Sequence, residues 1–196
     1  MQKNTNQRVR RLVEGAVMIA VASVLSVIKL YQLPRGGSVT LEMIPLIIMG
    51  LRNGVKWGCL TGFVHGLLQM IMGFSNVMYC PTLLSQIGCI LMDYLLAYTA
   101  LGLAGAFAKP FGERRMTGAI VGTVVYGALQ FLCSFISGWL VWGSYYESIG
   151  ISGTALMVYS LTYNGSYMLP NTILAALVVA LLYRAAPKLF APRAAA

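Results

Sequence analysis

The chain has 196 residues, of which 58% are hydrophobic and 10% are charged, whereas a soluble domain carries about 25% charged residues. This composition excludes an ordinary soluble domain and predicts an integral membrane protein with little chain left for a second domain. The formal net charge of +9 also occurs in nucleic-acid-binding proteins, but the basic residues form no single patch or known binding motif.

Six apolar stretches predict an all-α membrane fold with six transmembrane helices in a single domain, residues 1–196. The predicted helices cover, in chain order, residues 9–30, 40–51, 55–73, 82–108, 116–143 and 156–183, and a full span needs about 20 residues. The first helix follows a basic leader without a convincing cleavage site, so it is predicted to stay in the protein. Pro45 makes the second helix short or kinked.

The connections between these helices carry the residues expected of turns and loops. They read LPRGGS (33–38), RNG (52–54), KPFGERR (109–115) and SYYESIGISGT (144–154), and the tail APRAAA is predicted to fray. The four cysteines, at positions 59, 80, 89 and 133, include no CxxC pair. They are interpreted as small buried apolar side chains, not as a disulfide framework or a zinc site, and no metal is expected.

The basic residues predict the orientation of the bundle. If the N-terminus is cytoplasmic, every Lys and Arg except Lys29 and Arg35 falls on the cytoplasmic side, as the positive-inside rule expects. This distribution supports an even number of spans, so both termini are predicted to be cytoplasmic. Because topology explains the basic excess, nucleic acid is not an expected partner.

Asp93 lies in the apolar run GCILMDYLLAY, about eleven residues into the fourth predicted helix. A charge at a helix centre costs roughly 2.5–3.5 kcal/mol on insertion scales, and intramembrane acids usually face a cavity, a partner or a pathway. The other acidic residues have simpler explanations at helix ends and in loops: Glu14, Glu113, Glu147, and Glu42, which opens the second helix where a carboxylate suits the helix dipole.

Two structural explanations compete with a functional one for Asp93. The carboxylate could pair with a basic residue, although Lys29, Arg52 and Lys56 all lie near helix ends and can reach the interface. It could also be a protonated, hydrogen-bonded acid. The functional interpretation, that Asp93 balances the charge of a cationic ligand, is preferred because such acids are rare in spans.

Polar and aromatic residues of the fifth and sixth predicted helices extend this interpretation. Tyr159, Tyr163 and Tyr167 recur every four residues and share a face, either as an interfacial belt or as a pocket wall. Asn164 is an amide inside a span and needs a partner. Trp142 offers a flat face to an aromatic cation. With Asp93, these groups predict a site for a flat, nitrogen-rich, positively charged solute.

One short motif suggests a different class of function. GISG (150–153) matches the Gly-x-Ser-Gly of intramembrane serine proteases, with Ser152 as nucleophile and His65 as base. Such an enzyme needs a buried serine within hydrogen-bond reach of its base. Ser152 lies in a predicted outer loop and His65 lies upstream in the middle of the third helix, so catalysis is disfavoured.

The chain resembles the thiamine-specific substrate-binding (S) components of energy-coupling factor (ECF) transporters over nearly its whole length. The stretches that carry the resemblance, in matching order and spacing, are PRGGSVTLEMIP (34–45), LRNGVKWGCLTG (51–62), MDYLLAYTALGLAG (92–105), ISGWLVWGS (136–144) and YSLTYNGSYMLP (159–170). The resemblance implies a six-helix fold in the bacterial plasma membrane. It also implies an outward-facing thiamine pocket capped by the loop between helices 1 and 2.

The resemblance also implies roles for individual residues. The substrate-binding positions would be Asp93 facing the thiamine cation, Tyr94, Trp142 for stacking, Tyr159 and Asn164 on helix 6, and Ser134 where the family has a histidine. Serine can donate a hydrogen bond but cannot stack. Some members have a tryptophan in the first loop, where this chain has GGS (36–38).

The implied partners are a membrane coupling subunit and two ABC-type ATPases. Family members dock through small residues on helix 1, here Ala16 and Ala20, which would otherwise be ordinary packing positions. The chain has no GxxxxGK[ST] loop, so ATP is expected to be used by the partners, and no cofactor is expected on this chain. An S component for another vitamin or thiamine precursor, and a stand-alone permease, remain alternatives.

Overall fold

The structure is a computed structural model that describes residues 2–112 and 115–191. Its helices are, in chain order, α1 (Gln2–Val27), α2 (Met43–Asn53), α3 (Val55–Met72), α4 (Phe74–Val77), α5 (Leu83–Phe111), α6 (Arg115–Val141), α7 (Gly143–Ser148) and α8 (Gly153–Ala185). Among the residues used above to predict turns, the tail and the orientation, Glu113, Arg114 and Arg193 lie outside the described residues.

Within residues 2–112 and 115–191, three helices, α5, α6 and α8, are long and apolar enough to cross a membrane. An all-helical membrane protein is therefore confirmed at this level, while the count of six spans and the cytoplasmic termini stay predictions. The helix α2 has only eleven residues, about 16 Å at 1.5 Å per residue, which is half of a bilayer core. Pro45 lies in its first turn, where the missing N–H group breaks no helical hydrogen bond.

The first loop is more ordered than its Pro/Gly composition predicted. Two short antiparallel strands, β1 (Tyr31–Gln32) and β2 (Ser38–Val39), pair Tyr31 with Val39 and Gln32 with Ser38. A 3₁₀ turn over Pro34–Gly36 joins them. The sequence analysis missed this hairpin, which connects α1 to α2.

The core surrounds α2. Residues Met43–Gly50 are all buried, and α2 packs against α1, α3 and α5. The helix α8 packs mainly against α6. The four cysteines are free thiols. Cys80 and Cys89 are buried, as the sequence predicted, whereas Cys59 and Cys133 are only half-buried.

Glycines allow the backbones of α3 and α5 to touch. A Cβ atom at Gly62 would collide with the carbonyl oxygen of Tyr98, and a Cβ atom at Gly102 would collide with the backbone at Cys59. Small residues at such contacts let membrane helices approach closely. This contact sets the position of the α5 segment that carries the polar residues described below.

Replacing Gly62 by alanine should therefore destabilise the bundle. Alanine favours a helix by about 1 kcal/mol over glycine, but the added methyl group has no space at this contact, and overpacking typically costs about 1–3 kcal/mol. Thermal unfolding in detergent should show a lower midpoint for Gly62→Ala. The matched control is Gly165→Ala in α8, where the nearest atom is Phe131 Cε2 at 3.9 Å. Equal midpoints for the two variants would contradict the close contact.

Candidate ligand-binding site

Asp93 accepts two hydrogen bonds, one from α6 and one from Trp142, the residue between α6 and α7. Its Oδ2 atom accepts from Ser137 Oγ at 2.7 Å and from Trp142 Nε1 at 3.0 Å. Both helices depart from α geometry here, because Ile90–Leu96 in α5 and Ser137–Val141 in α6 are π-helical. Such wide turns are frequent at functional sites. The indole N–H group of Trp142 is thus a carboxylate donor, a role that the sequence analysis did not assign to it.

The ion-pair explanation for Asp93 is wrong. Among the residues that the structure describes, no lysine or arginine pairs with this carboxylate. Arg52 pairs instead with Glu14, with 2.8 Å between Nε and Oε1. Lys29 and Lys56 are exposed. Asp93 therefore receives only neutral donors from the protein.

A cavity of about 150 Å³ opens beside Asp93. It is enclosed by the hairpin loop, the start of α2, and helices α5, α6, α7 and α8. Five of the six predicted substrate-binding residues line it, namely Asp93, Tyr94, Ser134, Trp142 and Asn164. The sequence pattern therefore identified a set of residues that the fold brings together around one space.

Tyr159 does not line this cavity. Its ring packs behind the wall, 4.8 Å from the ring of Tyr146 and stacked at 5.9 Å on Tyr163. The next two tyrosines of the same helical face, Tyr163 and Tyr167, line the cavity instead. Tyr159 supports the wall from outside.

Asn164 finds its partners within the protein. Its Nδ2 group donates to the carbonyl oxygens of Ser134, at 3.2 Å, and Ser160, at 2.9 Å. Its Oδ1 atom accepts from the hydroxyl of Tyr167 at 3.0 Å. Because Ser134 belongs to α6, the amide joins α6 to α8. An amide oxygen has two lone pairs, so Oδ1 keeps one for a further donor.

Glu42 is a second carboxylate on the cavity, and the sequence analysis missed it. The helix-end position is correct, because Glu42 immediately precedes α2. Its side chain, however, accepts hydrogen bonds from Gln69 Nε2 at 2.8 Å and from the Tyr98 hydroxyl at 3.0 Å, and His65 Nε2 lies 3.4 Å away. The helix-end position alone accounted for a carboxylate at this site, so no further role was predicted. The hydrogen-bond partners of Glu42 are distant in sequence.

The charge of the cavity is opposite to that of the chain. Two carboxylates, Asp93 and Glu42, line it together with several aromatic rings. The described lining residues include no Lys, Arg or His side chain. In a membrane interior, where charges are poorly screened, this arrangement favours a positively charged guest.

The tyrosines of α8 fasten the hairpin loop over the cavity. The Tyr163 hydroxyl donates to the carbonyl of Pro34 and accepts from the Gly37 N–H group at 3.1 Å. A Cβ atom at Gly37 would lie 2.8 Å from Cδ1 of Tyr167, so the loop backbone rests directly on that ring. Glycine at position 37 is required for this close approach.

The protease constellation is not assembled. Ser152 precedes α8 at the exposed surface. His65 is 0% exposed and its Nε2 atom faces Glu42 and Gln69. The proposed nucleophile and base therefore belong to different environments, which contradicts the protease interpretation of GISG.

Comparisons with known proteins give the family. Residues 12–191 match the model of the thiamine transporter protein family (Thia_YuaJ). The chain belongs to the thiamine transporter family. It is 34% identical to the thiamine transporter ThiT of Bacillus subtilis over 95% of this chain and 96% of the relative. It is 29% identical to ThiT of Lacticaseibacillus paracasei over 91% of this chain and 89% of the relative.

A solved structure of the thiamine transporter family has the same fold. ThiT from Listeria monocytogenes superposes with a TM-score of 0.75, covering 95% of this chain and all of that chain at 26% identity. The family membership recognised from sequence stretches is thus confirmed. It makes this chain a transport protein and not an enzyme.

Loss of the Tyr163 hydroxyl should weaken the attachment of the hairpin loop over the cavity. Tyr163→Phe removes one donated and one accepted hydrogen bond, each contributing about 0.5–1.5 kcal/mol. We expect the Gly37 amide to exchange with deuterium about tenfold faster, as a loss of about 1.4 kcal/mol would give, measured by mass spectrometry on peptides covering 30–42. Tyr159→Phe, one helical turn away and stacked on Tyr163, should leave the exchange rate of the Gly37 amide unchanged. Similar exchange in both variants would contradict this attachment.

Proposed function

We propose that this protein binds thiamine from outside the cell and is the substrate-binding subunit of an ATP-driven vitamin importer in the bacterial plasma membrane. The observation that carries the proposal is the membrane-embedded cavity with two carboxylates, aromatic walls and no basic side chain among its described lining residues. The thiamine transporters named among its relatives support the same substrate.

The chemistry of thiamine matches these groups one by one. Thiamine joins a permanently positive thiazolium ring to a flat aminopyrimidine. Asp93 balances the charge, while Trp142 and Tyr146 offer ring faces for stacking and cation–π contact. Glu42 and the Asn164 carbonyl oxygen accept hydrogen bonds from the amino group. Ser134 adds a hydroxyl, which directs a ring edge but does not stack on it.

Entry of thiamine requires the hairpin loop to move. The cavity volume of about 150 Å³ is smaller than the roughly 300–1,000 Å³ typical of ligand sites. Gly36, Gly37 and Ser38 line it from the hairpin side, and only a few hydrogen bonds hold them to α8. In the proposed cycle this segment opens to the exterior and closes over the bound vitamin.

The remaining features of the proposal concern the membrane and the partners. Six spans with cytoplasmic termini put the hairpin outside. Ala16 and Ala20 are exposed on α1, on a face shared with the exposed Val13, Val17 and Val24. This small-residue face supports docking to a coupling membrane subunit that works with two ABC-type ATPases. The chain itself binds no cofactor, and ATP is used by the partners.

Removing the charge of Asp93 should weaken thiamine binding while the fold is retained. Asparagine keeps an acceptor for Ser137 and Trp142 but cannot balance a cation. We expect Asp93→Asn to lower the affinity at least tenfold by calorimetry, since losing one partner of a buried charge pair costs about 2–5 kcal/mol. Glu147→Gln, which removes an exposed carboxylate, should bind as the parent protein does.

An uncharged ligand distinguishes the loss of charge balance in Asp93→Asn from a general disturbance of the binding site. In a thiamine isostere with carbon in place of the thiazolium nitrogen, the Asp93→Asn penalty should largely disappear, as a double-mutant cycle requires. An unchanged penalty would show that Asp93 acts on another part of the ligand. Failure of the parent protein to bind thiamine, with tight binding of another vitamin from a panel, would overturn the proposed substrate.

A bulky residue on α1 should uncouple transport from binding. Ala20→Trp should leave thiamine binding unchanged and abolish ATP-driven uptake into vesicles that contain the coupling subunit and the ATPases. Ala128→Trp, at an exposed position of α6, should preserve uptake. Uptake by the parent protein in vesicles without those partners would contradict the subunit proposal and indicate a permease.

A further inference from the structure

A second, larger cavity lies at the opposite end of the bundle. Its volume is about 1060 Å³, and it shares no lining residue with the ligand-binding cavity. It is formed by the first turns of α1, the turn between α2 and α3, and the facing ends of α5, α6 and α8, with Phe190. The proposed function makes no use of this space.

Basic side chains dominate this cavity. Six of its lining residues are cationic: Arg8, Arg11, Arg52, Lys56, Lys109 and Arg115. No carboxylate occurs among its described lining residues, and Glu113 lies outside the described part of the chain. Arg52 already pairs with Glu14 and donates to the carbonyl of Lys188 at 3.0 Å. The described residues provide no ion pair for Arg8, Lys56, Lys109 or Arg115.

The start of α3 adds to this positive potential. Gly54, Val55 and Lys56 line the cavity and form the N-terminal end of an 18-residue helix. The first amides of a helix have no carbonyl partner within it and attract anions. Side-chain cations and a helix N-terminus thus act on the same space.

Apolar side chains form another part of the cavity wall. Leu51, Val55, Trp57, Tyr183 and Phe190 line it, and tryptophan and tyrosine favour the membrane interface, where a ring can contact both hydrocarbon and head groups. A small inorganic anion would gain no binding energy from contact with these apolar side chains. An amphiphile with an anionic head group and acyl chains fits both the cations and the apolar surfaces.

We propose that this cavity binds the phosphate head group of an anionic phospholipid, with Lys56 and Lys109 as principal charge partners. The predicted orientation puts it in the cytoplasmic leaflet, where anionic lipids are abundant and basic pockets between helices bind their head groups. The lipid occupies the cleft between α1 and the ends of α3 and α5, away from the vitamin site.

The test measures lipid retention on the full chain. The protein is exchanged from nanodiscs of phosphatidylcholine containing 30% phosphatidylglycerol into mild detergent, and bound lipid is counted by native mass spectrometry. We expect the parent protein to retain phosphatidylglycerol selectively. The double variant Lys56→Gln, Lys109→Gln should retain at least tenfold less, and each single variant an intermediate amount. Both lysines are exposed, so the double variant should keep its fold. Thiamine binding at the other cavity provides an independent check that the fold is retained.

Three controls decide the outcome. Arg184→Gln removes a cation that is exposed at the same end of the bundle but does not line the cavity, and it should retain lipid normally. Equal loss in that variant, or full retention in the double variant, would overturn the proposal. Displacement of the lipid by millimolar inorganic phosphate would assign the site to a free anion instead. Unchanged retention with impaired binding of the coupling subunit would assign it to protein docking.

Discussion

The cost of placing a carboxylate within a membrane helix constrains this structure more than any other interaction. Asp93 meets that cost with two neutral donors, Ser137 of α6 and Trp142 just after it, and with the polar interior of a cavity. A basic partner would have cancelled its charge, and exposure to lipid would have destabilised the helix. The arrangement supplies hydrogen bonds to the carboxyl group and leaves it without a basic partner among the described residues. That choice distinguishes a binding site from a structural ion pair.

The two cavities divide the charge of the chain between opposite ends. Acidic residues are few, and two of them line the cavity beside Asp93. Basic residues are numerous and gather around the other one. The predicted orientation accounts for the cations at one end, and the proposed cationic ligand would account for the carboxylates at the other. The net charge of +9 does not reveal this separation of charge, because it describes neither cavity.

Most of the long helices were predictable from the sequence, but the details that depend on tertiary contacts were not. The apolar stretches identified α5, α6 and α8 to within a few residues, since a span needs about 20 apolar residues regardless of its neighbours. The hairpin was not predicted because strands of only two residues show no alternation of apolar and polar side chains. Tyr159 and Tyr163 share a helical face, but Tyr159 packs against Tyr146 of α7 while Tyr163 lines the cavity, and this difference arises from tertiary contacts. Glu42 was missed because its partners, Gln69 and Tyr98, lie on other helices.

The hairpin joins α1 to α2 and also covers the cavity beside Asp93. The Leu30 N–H group, just beyond the end of α1, donates to the carbonyl of Val39 in β2 at 2.9 Å, and Thr40 donates to Asn171 of α8 at 3.2 Å. The hairpin therefore connects the end of α1 to β2 and, through Thr40, to α8. Because these hydrogen bonds involve one short segment, a displacement of the hairpin would change the attachment of α1 and of α8 at the same time.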